Sequence, residues 1–220
     1  MGASGDDEQR PRSERSRGLL ITLEGGEGAG KSVQLEALAR RLEQCGHRVV
    51  RTREPGGTPL GERVRTIVLD LSSALDPLTE TLLFVAARAE LVAAVIDPAL
   101  ARGDIVVCDR FGDSTLAYQG FGRGVEPDTI ERLNSVATRG LRPDVTVLLD
   151  LPTSEGLTRN VSGDPDRFER EAQEFHERVR RGYHELAARE PARWLVVDAG
   201  QPREAVTDAI WRRLEPLLDR

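Results

Sequence analysis

The sequence predicts an α/β protein in which a five-stranded parallel sheet is flanked by helices and carries a short lid. Three observations predict it. Short β-branched apolar runs alternate with segments of helical spacing along residues 18–220. Two of the runs, 105–108 and 145–149, are apolar without alternation, as strands buried on both faces must be. A glycine-rich turn joins the first run directly to the first helical segment, so that a strand, a loop and a helix follow in order.

The first strand is read near 19–24, and Gly25 ends it. From 31 to 45 Val33, Leu35, Leu38 and Leu42 recur at helical spacing until Gly46 stops the helix. The second strand, near 48–53, contains Val49 and Val50 and runs into the turn signal Glu54-Pro55-Gly56-Gly57. Helical pattern follows over 60–70 and 78–101. The second stretch is apolar on most faces and so belongs deep in the molecule. The third and fourth strands, near 104–109 and 144–150, both end in aspartate, Asp109 and Asp150. A short helix at 154–159, a longer one at 168–189, a last strand near 193–198 and a last helix at 203–218 complete the chain. Strands alternating with helices imply right-handed crossovers. Ligands then bind at the carboxyl ends of the strands, where Gly25, Glu54, Asp109 and Asp150 fall.

Composition narrows the function. A formal charge of −6 gives no general attraction to nucleic acid or to an anionic membrane, so neither is expected as a partner. Any anionic ligand must be held by a local cluster of cations. Cys45 and Cys108 are too few for a disulfide framework. They show no zinc spacing with the scattered His47, His176 and His184, and this usage fits a reducing cytoplasm. Residues 1–17 are polar and charged, without the apolar core of a signal peptide, and read as a disordered extension ahead of one domain spanning 18–220. No apolar run reaches transmembrane length.

The 31 basic Lys and Arg side chains comprise 30 arginines and one lysine, and that lysine lies in Gly25-Gly26-Glu27-Gly28-Ala29-Gly30-Lys31-Ser32. Arginine is a wide planar fork and lysine a compact charge on a thin stem, so a position that keeps lysine alone is a narrow one. The run matches the P-loop pattern, Gly25-x-x-x-x-Gly30-Lys31-Ser32, in its required place between strand and helix. Its glycines let backbone N–H groups converge on phosphate oxygens, and the helix N-terminus adds favourable partial charge. Lys31 is then expected at the β- and γ-phosphates of ATP, with the Ser32 hydroxyl on Mg²⁺. A guanine-reading Asn-Lys-x-Asp cannot exist in a chain with one lysine, which excludes a switch GTPase. A kinase of small phosphorylated substrates remains, and it needs a second anion site. Asp109-Arg110 offers one: the aspartate for the Mg²⁺ shell and the arginine as a bidentate clamp on an acceptor phosphate. Phe84 and Arg88, four apart on the long helix, share a face and can stack on a base and bond its carbonyls, although a lone Phe on an apolar helix more often belongs to the core.

The run Asp109-Arg110-Phe111-Gly112-Asp113-Ser114-Thr115-Leu116-Ala117-Tyr118-Gln119-Gly120 resembles the motif of thymidylate kinases. Arg53-Glu54-Pro55-Gly56-Gly57-Thr58, Phe84-x-x-x-Arg88, Arg142-Pro143-Asp144 and Asp166-Arg167-Phe168-Glu169 are similar to further motifs of the bacterial members. The resemblance runs from Gly18 to the C-terminus. It implies a P-loop NTPase fold, a homodimer, and transfer of the ATP γ-phosphoryl group to dTMP with Mg²⁺. It also implies roles. Phe84 would stack on thymine and Arg88 would bond its O4. Thr115, with Ser114 or Gln119, would face the base edge. Tyr118 would press on C2′, Glu27 would lie by the 3′-hydroxyl, Arg110 would hold the phosphate, and a cis Pro55 would shape the site.

The family also keeps a catalytic arginine in the lid or in the P-loop. Here the P-loop offers Glu27-Gly28-Ala29, and the lid, about 159–167, is basic only at its ends, with Ser162 where a bacterial relative has arginine. The cation must come from Arg159 or Arg167, or be missing. Two rival readings stand beside dTMP kinase: another nucleoside-monophosphate kinase of UMP or CMP type, and a nucleotide-binding protein without catalysis.

Overall fold

The computed structural model describes residues 17–159 and 166–218. The extension 1–16, lid residues 160–165 with Ser162, and 219–220 lie outside the described residues. Five strands form one parallel sheet: β1 (Leu20–Glu24), β2 (Val49–Arg53), β3 (Ile105–Asp109), β4 (Val145–Asp150) and β5 (Trp194–Asp198). Their order is β2-β3-β1-β4-β5, so the chain crosses from one side of β1 to the other after β3. Every residue of the central β1 is buried. The register sets Leu23 opposite Asp109 and Glu24 opposite Leu148, which brings the carboxyl ends of β1, β3 and β4 to one rim.

Helices cover both faces. On one, α1 (Lys31–Gln44) lays Leu35, Leu38 and Leu42 against Ile21 and Val147. Helices α2 (Pro59–Leu69) and α3 (Pro77–Leu91) start with proline at the first turn, where its missing N–H costs nothing. Thr58 accepts from the Gly61 N–H and Asp76 from those of Leu78 and Thr79, capping both helices. The chain continues through α4 (Asp97–Ala101), α5 (Gly112–Thr115), α6 (Pro127–Thr138), α7 (Thr153–Arg159), α8 (Gln173–Arg189) and α9 (Arg203–Leu218). Ile210 and Leu214 of α9 join the α1 core, whereas Leu91, Ile96 and Leu100 pack on Leu20 and Val106.

The structure differs from the sequence reading in several elements, among them the helical stretch over 112–122, where α5 runs into a π-helix at Leu116–Gly122. The helix expected over 78–101 is α3, a π-helical turn at Val92–Ile96, then α4. Pro98 can donate no hydrogen bond and its ring crowds the preceding turn, and the wider π turn just before it relieves that conflict. Helix α6 is not anticipated by the sequence reading. Its only fully buried apolar anchor is Ile130, and its other faces are largely exposed. The helix expected from 168 begins at Gln173, because the Asp166 carboxylate accepts the Phe168 and Glu169 N–H groups and holds 167–170 in turns.

Candidate active site

The P-loop closes tightly around its own end of β1. Gly28, at φ 67°, leaves so little room that a Cβ would lie 2.0 Å from the Gly156 carbonyl oxygen. A Cβ on Gly156 would in turn lie 2.3 Å from the Glu27 carbonyl oxygen. The loop tip therefore rests backbone to backbone on α7. Lys31 Nζ donates to the Gly25 and Gly26 carbonyls at 3.2 and 2.8 Å, folding across the loop it belongs to. Burial and the neighbouring Arg110 draw its ammonium below the ordinary lysine value, against the pull of Glu27 and Asp109. Ser32 Oγ donates to Asp109 Oδ2 at 3.0 Å. One hydroxyl and one carboxylate, hard oxygen donors at the loop's rim, are the sparse set that Mg²⁺ takes when phosphates and waters supply the rest. No cluster of three or more His, Cys, Asp or Glu suited to a metal occurs among the described residues.

Arg110 is the hub. It sits at φ 68°, a left-handed conformation that costs a non-glycine residue about 1–2 kcal/mol and persists only where its surroundings hold it. Its guanidinium donates to Glu27 Oε1 at 2.7 Å, Tyr118 OH at 3.0 Å, Tyr183 OH at 3.2 Å and the Gly25 carbonyl at 3.0 Å. Tyr118 OH also donates to Glu27 Oε1 at 2.7 Å. Burial pushes the Glu27 carboxyl up, but Arg110, Lys31 and the Tyr118 bond outweigh it and hold it down at about 2. Glu27 is thus a fixed acceptor at neutral pH.

A cavity of about 100 Å³ opens beside this hub. All nine substrate residues read from the sequence line it: Glu27, Pro55, Phe84, Arg88, Arg110, Ser114, Thr115, Tyr118 and Gln119. The Glu54–Pro55 bond is cis. Phe84 is half-buried, packs edge-on to Phe168 at 6.0 Å and also lines the cavity. Arg88 is 1% exposed and bonded to Glu54, Asn134, Thr115 and the Phe111 carbonyl. It is a buried, fully oriented cation rather than a solvated charge. Thr115 Oγ1 accepts from Arg88, which leaves its own proton to donate. Gln119 Nε2 donates to Glu80, which leaves its carbonyl oxygen as an acceptor. Ser114 is drawn away from a base edge, since its Oγ lies 2.5 Å from Glu24 Oε2 and 2.8 Å from Tyr183 OH.

A second cavity lies over the P-loop and is lined by Gly28, Gly30, Lys31, Ser32, Asp109 and Arg159. Glu27, Glu54, Arg65, Arg110 and Asp166 border both cavities, so the two meet there. Arg65 is a residue the sequence reading missed. It is half-buried, donates to the Pro55 carbonyl at 3.3 Å, and faces both spaces. In sequence it sits among charged neighbours on an ordinary surface helix, with nothing local to mark its hydrogen bond to the Pro55 carbonyl. The two lid arginines separate. Arg159 lines the phosphate cavity, with its guanidinium on the Ala199 carbonyl at 3.1 Å. Arg167 turns to α2 and α3, donating to the Val68 carbonyl at 2.9 Å and pairing with buried Glu80.

The sequence profile described as thymidylate kinase matches residues 23–210. A thymidylate kinase of Deinococcus radiodurans is 52% identical over 197 residues, covering 89% of this chain and 96% of that one. One of Geobacter sulfurreducens is 51% identical over 201 residues, covering 88% and 94%. The crystal structure of thymidylate kinase from Ehrlichia chaffeensis superposes with a TM-score of 0.70 at 37% identity, over 82% of this chain and 93% of that one. With the profile matching residues 23–210 and relatives about half identical over most of its length, this chain belongs to the thymidylate kinase family.

Proposed function

We propose that the protein transfers the γ-phosphoryl group of ATP to dTMP, giving dTDP and ADP. The observation that carries this is the meeting of the P-loop cavity and the base-sized cavity at Glu27, Arg65 and Arg110, with every expected acceptor residue on the second wall. Phosphoryl transfer needs two anions in line and cations around the transferred group, and little covalent help from the protein. Lys31 and the loop N–H groups hold the donor phosphates. Arg110 and Arg65 hold the acceptor phosphate from opposite elements. Arg159, on the helix against which the loop tip rests, supplies charge to the transferred group. Ser32 and Asp109 would hold Mg²⁺, which neutralises phosphate charge when bound.

The base is read by complementary groups. Arg88 donates toward a carbonyl, and the Gln119 carbonyl oxygen accepts from a ring N–H, a pattern that suits thymine or uracil and opposes cytosine. Phe84 stacks on the ring. Tyr118, held by Glu27 and Arg110, closes the space a ribose 2′-hydroxyl would need, and this disfavours the UMP-type reading. The paired Lys31, Ser32, Asp109 and Arg110 speak against a merely binding role.

The protein also pairs with a second copy of itself. Leu60 and Ile67 on α2 and Leu78 and Leu82 on α3 are each 45–46% exposed, an apolar surface on two adjoining helices. Sedimentation should give a dimer, and Ile67→Glu with Leu82→Glu should give a monomer. No helix among the described residues is long and apolar enough to cross a membrane, and we place the protein in the cytoplasm. Incubation with ATP, Mg²⁺ and dTMP should form dTDP and ADP in equal amounts. ADP formed without dTDP would mark an ATPase instead.

A further inference from the structure

One layer behind the acceptor cavity lies a buried carboxyl that phosphoryl transfer does not use. Glu24 ends β1 and is 0% exposed. Its Oε1 accepts from the Phe111 N–H at 2.8 Å. Its Oε2 lies 2.5 Å from Ser114 Oγ and 3.1 Å from Tyr183 OH, and those two oxygens are 2.8 Å apart. Three oxygens thus form a closed triangle. Arg110 Nη1 donates into it from outside, to Tyr183 at 3.2 Å and Ser114 at 3.4 Å.

Counting protons shows what the triangle needs. With Glu24 ionised, Ser114 and Tyr183 bring two hydrogens for three edges, and one pair of buried oxygens faces each other bare. A protonated Glu24 brings the third. Glu24 then donates to Ser114, Ser114 to Tyr183, and Tyr183 back to Glu24, so every edge holds a hydrogen bond. The lone pairs left on Ser114 and Tyr183 accept from Arg110. We infer that Glu24 is a positioning residue that works in its neutral form, closing this ring so that Ser114 and Tyr183 hold the Arg110 guanidinium at the acceptor phosphate. The inference rests on the reading that Arg110 binds that phosphate.

The surrounding charges agree. Burial, then Asp113 on α5, raise the Glu24 carboxyl to about 8, against the bonds from Ser114 and Phe111 and the charge of Arg110. Asp113 itself is matched by Arg193, at 2.6 and 3.0 Å, so the local cation is already committed elsewhere. Lys31 on α1, Cys108 on β3 and Tyr183 on α8 complete the titratable groups that sense Glu24.

Two variants test the ring. Glu24→Gln is permanently neutral and keeps both an acceptor for Phe111 and a donor for Ser114. Glu24→Ala keeps neither. Wild type should show the infrared carbonyl band of a protonated carboxylic acid near neutral pH, and Glu24→Gln should lack it. The native state keeps the proton while the unfolded chain, at an ordinary 4.5, gives it up. Wild type should therefore lose melting temperature relative to Glu24→Gln as pH rises from about 5 to about 9. In kinetics, kcat/KM for dTMP should fall in wild type with an alkaline limb near 8, and that limb should be missing in Glu24→Gln. Glu24→Ala should raise KM for dTMP about tenfold without moving KM for ATP, and Gln should restore it. An identical infrared spectrum in wild type and Glu24→Gln, with a melting difference that does not change with pH, would overturn the proposal. Should Glu24→Ala fail to fold, the wild-type and Gln comparison decides alone. A wild type that shows the band but cannot use dTMP would overturn the kinase reading and the acceptor clause with it, while a missing band overturns the ring itself.

Discussion

Arg110 shows how one residue can be readable in kind and unreadable in setting. Its charge and its place after a strand are visible in the sequence. Its partners come from four separate stretches, Gly25 and Glu27, Ser114, Tyr118, and Tyr183, and its left-handed backbone is stable only because all of them converge. Ser114 is the reverse case: it sits in the right motif, but a carboxyl ninety positions away claims it. The P-loop was legible because backbone groups do the binding and neighbours in sequence suffice. Lys31→Arg should lower kcat about 100- to 1000-fold with the melting temperature little changed, because the wider fork cannot lie across the loop carbonyls as the ammonium does. Near-normal turnover would remove Lys31 from the chemistry. Tyr118 separates ring from hydroxyl. Tyr118→Phe loses bonds to a charged carboxylate and a guanidinium, so kcat/KM for dTMP should drop about tenfold while the preference over the ribonucleotide stays. Tyr118→Ala should narrow that preference. If it does not, the ring serves only the aromatic cluster it forms with Phe168 and Phe175.

At the scale of elements, α7 explains why Arg159 and not Arg167 lines the cavity over the P-loop. The helix is short, but Gly28 and Gly156 let it touch the loop tip directly, and Arg159 ends it one turn later. Spacing alone left the two arginines equivalent, because the helix contact depends on the absence of two Cβ atoms rather than on any periodicity. Arg159→Ala should lower kcat about a hundredfold or more with little change in KM for dTMP, as for a contact made in the transition state. Arg167→Ala should instead lower the melting temperature, since it strips a buried Glu80 of a partner. Equal kcat losses in both would contradict this division. Gly156→Ala should push the loop tip off α7 and cut kcat at least tenfold in a chain whose sheet remains folded by circular dichroism. The strands were legible from short apolar runs and α1 from the helical spacing of Leu35, Leu38 and Leu42. Helix α6 was not, because a helix with one deeply buried apolar anchor leaves a weak periodic trace.

For the whole molecule, the sheet order decides where the site must lie. The reversal of chain direction about β1 opens a crevice at the carboxyl ends of β1 and β3, and the loop, Asp109 and Arg110 all fall there. A chain of net charge −6 concentrates Lys31, Arg65, Arg110 and Arg159 in that crevice, the local positive charge that two anionic nucleotides would require. Substrate choice then follows from the acceptor cavity lined by Phe84, Arg88, Tyr118 and Gln119, and it is the most direct test of the account. ADP release coupled to NADH oxidation, measured with dTMP, dUMP, UMP, CMP and dGMP at the same Mg·ATP concentration, yields kcat/KM for each acceptor. dTMP should lead, dUMP should follow with the same base edge, and UMP, CMP and dGMP should trail by at least about tenfold. UMP or CMP turned over as well as dTMP would contradict the assignment of Tyr118, Arg88 and Gln119, and with it the claim that this cavity is built for thymidylate.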